Sequence, residues 1–259
     1  MNISVATGLG SISGWKTLQR IEARQLAVIA NDPVVQRATT YFRDNISSGT
    51  SAADLVGDYR MLSVALGAFG LEQDIPNKAF IRKVLESDLS DDKSLVNRLS
   101  DKRYLRLAQA FHLGRASSDQ TALGKQISEA YLQREYERRV GESDESLRLA
   151  LNARRELQQF VGRESSNKTL WYEVLGNPPL RKVFEGAFGF GGAYGRLSVD
   201  RQLEEFTKAA ERYLGSSAFT DITTEKGIDK LVTNYLARTQ VATGSAQNRY
   251  SSALALLTG

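Results

Sequence analysis

Helical periodicity runs through almost the whole of this chain, and alternating strand patterns rich in β-branched residues are nearly absent. From Ile12 the residues Trp15, Leu18, Ile21 and Leu26 recur mostly at three- and five-residue steps. Amphipathic segments of helix length follow at about 51–69, 77–86, 92–98, 101–111, 118–141, 144–162, 166–175, 179–188 and 199–214. In "NDPVV", Asp32 offers a helix N-cap, and Pro33 takes the first helical position, where its missing amide hydrogen has no partner to lose. That helix is expected to reach Asn45. In "VGESDES", Gly141 predicts a stop and Ser143 a new cap. With only 4 prolines to interrupt it, the chain reads as all-α, an irregular multi-helix bundle built from helix–turn–helix units. Residues 1–11 read as a flexible N-terminal tail, 12–243 as one helical domain, and 244–259 as a C-terminal tail.

One ending is written three times: "VALGAFGLEQD" from Val64, "LAQAFHLGRAS" from Leu107 and "VFEGAFGFGGA" from Val183. Aligned on Phe69, Phe111 and Phe188, the copies place Ala65, Leu107 and Phe184 four residues earlier, on the same helix face. Gly70, His112 and Gly189 come next, followed by Leu71, Leu113 and Phe190. Glycine after the last helical residue suits a left-handed cap, because it has no Cβ to clash. The apolar residue beyond can fold back on the last turn. The nine residues therefore read as a helix stop that also plugs the core, with histidine tolerating the left-handed region at the middle copy. Spacings of 42 and 77 residues between the phenylalanines exclude a solenoid of fixed period.

Few reactions suit these residues. There is no cysteine, which removes disulfides, thiolate metal sites and cysteine nucleophiles. His112 is the single histidine, so a multi-histidine metal site is excluded. "GFGGAYG" and "GLGSISG" lack the dinucleotide-binding spacing. Asp88, Asp91 and Asp92 lack the alternate-position ligands of a calcium loop and read as helix caps. The carboxylate pairs Glu204/Glu205 and Glu135/Glu137 are flanked by basic residues and read as solvated helix faces. No catalytic, cofactor-binding or metal-binding residue is expected, and Arg148, Arg154 and Arg155 are the one remote phosphate clamp. The net charge of +4, 34 bases against 30 acids, is interleaved as in "REYERR", which does not suit nucleic acid. No apolar run approaches the roughly 18 residues needed to cross a bilayer, and the start lacks the pattern of a secretory signal.

The stretches "GWKTLQRIEARQ", "RATTYFRDNI", "LVGDYRMLSVALGAFGLEQDIPNKAFIRKVLE", "LVNRLSDKRYLRLAQAFHLG", "VGESDESLRLALNARREL", and "VLGNPPLRKVFEGAFGF" with its "DRQLEEF" together resemble an alphaproteobacterial family, the domain of unknown function 1217. They reach from about Gly14 to Leu236, and His112 stands where that pattern expects a second glycine. The resemblance implies a helical fold and no established activity. Members are frequently encoded among flagellar genes, which implies a motility context. The expectation is a non-enzymatic motility-associated protein working through helix-mediated contacts, cytoplasmic or exported through the flagellar apparatus. A cytosolic adaptor or chaperone for flagellar subunits is the rival, and a phosphate-handling enzyme the remote one. Its partners would be proteins, flagellar ones or a second copy, with no nucleic acid and no membrane insertion. The stripe Ile228, Leu231, Val232, Tyr235 and Leu236 suits either a contact face or packing on the protein's own core, so the tail beyond Gly244 is the better partner-binding candidate, through Tyr250, Leu254, Leu256 and Leu257.

Overall fold

The computed structural model describes the backbone of residues 11–47, 49–116 and 120–258, and the side chains of these apart from 11, 112–116, 120, 193 and 243–258. Among the described residues there are fourteen α-helices, two short 3-10 helices and no strand. In chain order they are α1 (Ser11–Ala30), α2 (Pro33–Asn45), α3 (Ala52–Gly57), α4 (Tyr59–Phe69), α5 (Lys78–Leu85), α6 (Leu95–Arg98), α7 (Arg103–Ala116) and α8 (Gln120–Ser143). Then follow α9 (Glu145–Gln158), α10 (Asn167–Gly176), α11 (Pro178–Phe188), α12 (Val199–Leu214), α13 (Phe219–Ile222) and α14 (Glu225–Thr258).

The chain divides into two compact units where its sequence suggests one helical domain. The first is Ile21–Arg139; the second runs from Val140 onward and takes in α1 up to Arg20. Long amphipathic patterns hid this division because it falls inside helices, within α1 and within α8, and not in a loop. The first unit packs an aliphatic core, with Leu55, Leu62, Leu66, Ile81, Val84, Leu107 and Ile127 buried around Phe42. The second packs an aromatic one. Trp171 lies 5.3 Å from Phe184, 6.1 Å from Phe206 and 4.8 Å from Phe219, ring centre to ring centre. The first two of these pairs are edge-on, and such pairs add about 0.5–1.5 kcal/mol each beyond the area they bury. Despite the different fillings, the helix neighbours correspond: α4 packs on α2 and α3 in the first unit, as α11 packs on α9 and α10 in the second.

Local signals explain most boundaries. Asp32 accepts from the Val34 amide at 2.8 Å and starts α2. The 51–69 segment is two helices, since Asp58 accepts from the amides of Arg60 and Met61 at 2.8 and 3.0 Å and so begins α4 immediately after α3. Gly141 does not stop α8, which continues to Ser143 before Asp144 caps α9. A Cβ on Gly141 would stand 2.5 Å from Arg148 Cδ, so glycine serves there for clearance. Two of the three repeated endings close their helices. Gly70 and Gly189 have φ of 69° and 76°, the amides of Leu71 and Phe190 bond back to Leu66 and Glu185 at 2.9 Å, and Leu71 is buried. The third does not. α7 runs through Phe111, His112 and Leu113 to Ala116, because without a glycine the left-handed turn would cost the Cβ clash that helix continuation avoids. Gly215, with φ of 90°, ends α12 instead.

The C-terminal stripe faces inward: Ile228, Leu231, Val232, Tyr235 and Leu236 of α14 are buried in the second unit. The helix itself continues to Thr258, through the stretch from 244 that reads from sequence as a tail. The side chains of Tyr250, Leu254, Leu256 and Leu257 lie outside the described residues, as does the backbone of 1–10.

In the first unit the start of α2 is tied to α8 by buried charge. Arg139 Nη2 donates to Asp32 Oδ2 at 3.0 Å and its Nε to Glu135 Oε1 at 2.8 Å, with all three side chains nearly excluded from solvent. The backbone hydrogen bond from Val34, then Arg139, holds the Asp32 carboxyl below its ordinary value. Burial works to raise Glu135, but hydrogen bonds from Arg138 and Arg139 prevail and lower it. Depressed carboxylates contribute stability above their unfolded values of 3.8 and 4.5 and lose it as pH falls through the lower folded values. The urea midpoint should therefore be flat near neutrality and drop steeply below about pH 4, a drop that Glu135→Gln should flatten.

Gly70→Ala should cost about 1–3 kcal/mol in urea unfolding, through a left-handed alanine whose Cβ also meets Arg134. Gly57→Ala, helical and with nothing within 4 Å of its added Cβ, should be neutral or stabilise by about 0.5 kcal/mol.

Candidate functional site

The two helices that end in "GAFG", α4 and α11, are each met by a tyrosine and, three residues further along the same helix, an arginine. In the first unit Tyr131 of α8 lies against Gly67, where a Cβ would stand 2.8 Å from its ring carbons. Arg134 lies against Gly70, where a Cβ would stand 2.7 Å from the guanidinium carbon. In the second unit Tyr235 of α14 meets Gly186 at 2.6 Å, and Arg238 meets Gly189 at 2.5 Å, by the same measure. Burial pushes the hydroxyl pKa of both tyrosines up. Two "GAFG" endings are thus engaged by two Tyr-Leu-x-Arg turns, Tyr131–Arg134 and Tyr235–Arg238. That second motif is the signal that sequence reading passed over.

The surroundings of the two arginines differ. Arg134 is buried; its Nη2 donates to the Phe69 carbonyl at 3.0 Å, and its Nη1 lies 3.5 Å from Glu137 Oε2, itself buried. Glu72 is a second acid in its field; desolvation of that carboxyl raises its pKa, against the attraction of Arg134 and Arg103. Arg103 donates to the Gly70 carbonyl and is held by Asp101 at 2.6 Å. The first helix end is therefore covered by a buried cation with acids beside it.

At the second helix end the matching positions carry no acid. Two residues after Gly70 stands Glu72, but two after Gly189 stands Gly191. Three after Arg134 stands Glu137, but three after Arg238 stands Val241. Arg238 is exposed, with its guanidinium carbon 4.9 Å from the centre of the Tyr213 ring. Such a contact is worth about 0.5–1 kcal/mol at an exposed site. None of the described carboxylates forms an ion pair with Arg238. Beside it opens a cleft of about 720 Å³, lined by Gly189, Phe190, Tyr213, Ala237, Arg238 and Val241 among others. Val241 is 73% exposed on the rim of this cleft.

Of the residues singled out in the sequence, Phe190 lines this cleft and Phe188 is buried behind it, stacked on Tyr213 at 6.0 Å. Phe69 and Leu71 belong to the sealed first site, and Phe111 is buried in the first unit's core. The arginines 148, 154 and 155 do not converge. Arg148 pairs with Glu145 at 2.6 Å, Arg155 with Glu156 at 2.7 Å, and Arg154 lies over the Trp15 ring at 5.4 Å. Asp88 and Asp91 cap turns through the amides of Ser90 and Lys93. No group of three His, Asp or Glu residues able to hold a metal occurs among the described residues. A further cleft of similar volume lies between α2 and α8 in the first unit, lined by Gln36, Thr39, Lys125, Ser128 and Glu129 among others. Lys125 and Glu129 there face each other at 3.9 Å.

The sequence profile of the family described as "Protein of unknown function (DUF1217)" matches residues 68–228, more than half of the chain and inclusive of both Gly70 and Gly189. The chain belongs to this family. A crystal structure of protein AGR_C_984 from Agrobacterium tumefaciens is similar to it, with a TM-score of 0.74 and 24% identity over 92% of this chain and 98% of that one. At that identity the likeness speaks for the all-α fold. No curated protein matches the chain. Arg238 and Val241 stand beyond the stretch that the DUF1217 profile covers.

The contrast between the two arginines has a measurable consequence. Arg134→Met removes the cation that pairs with the buried Glu137 and should cost about 3–5 kcal/mol in urea unfolding. Arg238→Met, at an exposed position, should change stability by no more than about 0.5 kcal/mol.

Proposed function

We propose that this DUF1217 protein is a motility-associated protein that works by holding a protein partner against α11 and α14 of its second unit, without chemistry of its own. The observation that carries the reading is the cleft beside Gly189, where apolar surface and a cation that no described carboxylate neutralises lie together. The carboxylate pairs suggested by sequence are engaged elsewhere. Glu204 bonds to Lys208 at 2.6 Å and Arg201 at 2.8 Å, and Glu205 to Arg201 at 2.7 Å. Glu204 and Glu135 have their pKa values lowered, by Lys208 and by Arg138 with Arg139 respectively, whereas a general acid at neutral pH needs a raised one. The motility context rests on the family resemblance, through its frequent placement among flagellar genes.

Deleting the gene should shrink swimming zones in soft agar while leaving growth unchanged, and a plasmid copy should restore them. Normal swimming by the deletion strain would remove the motility assignment. Fractionation of cells lacking the flagellar export apparatus separates an exported component, which would be retained, from a cytosolic adaptor, which would never have left.

A further inference from the structure

The two helix ends differ in one respect that identifies what the open one lacks. Both present a left-handed glycine, a tyrosine under the preceding turn and an arginine under the glycine. In the first unit Glu137 pairs with that arginine, Glu72 lies within its field, and the assembly is closed. In the second unit Val241 and Gly191 take those places, and Arg238 lies over the face of Tyr213 with no ion pair to any described carboxylate. We propose that the cleft beside Arg238 binds an apolar segment of a partner protein that bears an aspartate or glutamate, which supplies the carboxylate that Glu137 supplies to Arg134.

The shape and lining of the cleft suit that occupant. Its lining residues run along α14 from Asn234 to Ala242, about 12 Å of helix axis, which matches two turns of an apposed helix or a few extended residues. Ala237, Val241 and Phe190 offer apolar contact around the charge, and the Tyr213 ring fixes the guanidinium from one side. A guanidinium held in that way keeps its remaining donors for a carboxylate, and covering it with apolar side chains would strengthen the pair by excluding water. Val241, exposed on this rim, would be covered by the same occupant.

This inference rests on the contact-forming reading above and deepens it. The test uses the full chain, immobilised, with a display library of random twelve-residue peptides as the probe. Selected peptides should be enriched in apolar residues with one Asp or Glu, and that acid changed to its amide should weaken binding at least about tenfold. Arg238→Glu should weaken the same peptides by at least as much, with an unchanged circular dichroism spectrum and urea midpoint. Val241→Glu, which restores the spacing of Arg134 and Glu137, should also abolish binding by filling the site from within, while Val241→Thr should retain it. Absence of any selectable peptide, enrichment of uncharged or basic ones, or equal binding by Arg238→Glu would overturn the proposal. So would equal binding by Val241→Glu. A deletion strain that swims normally would end the motility assignment and leave peptide capture untouched. Failed capture beside a clear swimming defect would end only this proposal.

Discussion

A helix can end abruptly inside a packed protein only if the chain reverses without losing its hydrogen bonds, and here a left-handed glycine does that at both Gly70 and Gly189. The backbone bonds from Leu71 to Leu66 and from Phe190 to Glu185 satisfy carbonyls that would otherwise be stranded. Because no Cβ projects from Gly67, Gly70, Gly186 or Gly189, a second helix can approach closely enough to lay a tyrosine ring and a guanidinium directly on the end of the first. The packing of α4 and of α11 within their units depends on that approach. So does the location of the open cleft.

The two units show how one arrangement can serve either as closed scaffold or as surface. A buried cation needs an acid, since an unpaired charge away from water costs several kcal/mol. Arg134 has Glu137 and is buried; Arg238 has Val241 at that place and stays in water, over an aromatic ring. Exchanging two acids for a glycine and a valine thus turns a sealed joint into an exposed one without disturbing the glycine cap beneath it. The aromatic core around Trp171 supports the open version. Phe188 is fixed between Phe184, Phe206 and Tyr213, and Phe190 stacks on Tyr194 at 4.1 Å.

Much of this was legible from residue order. Apolar spacing, the Asp32–Pro33 start and the glycine endings are local matters, governed by interactions within one turn of helix, and they located α2, α11, α12 and the two true stops. The middle ending shows where local reading gives out. Phe111 and Leu113 keep the apolar pattern, but His112 has no way to enter the left-handed region cheaply, and α7 continues to Ala116. Gly141 likewise looks like a stop, yet it answers to Arg148 from the next helix and not to its own backbone. The stripe from Ile228 to Leu236 has the periodicity of a contact face, and periodicity does not say whether that face meets its own core or another protein.

Sequence alone determined the all-α class, most helix limits and the exclusion of cysteine chemistry, because each follows from residue type and short-range spacing. Only the tertiary structure decided that the chain forms two units, that Tyr131 and Arg134 correspond to Tyr235 and Arg238, and that one arginine is neutralised while the other has no partner acid among the described residues. Those facts depend on residues 64 and 49 positions beyond the glycines they touch, Gly67 with Tyr131 and Gly186 with Tyr235. Contacts at such separations are set by how whole helices pack, which no pattern within a single turn records.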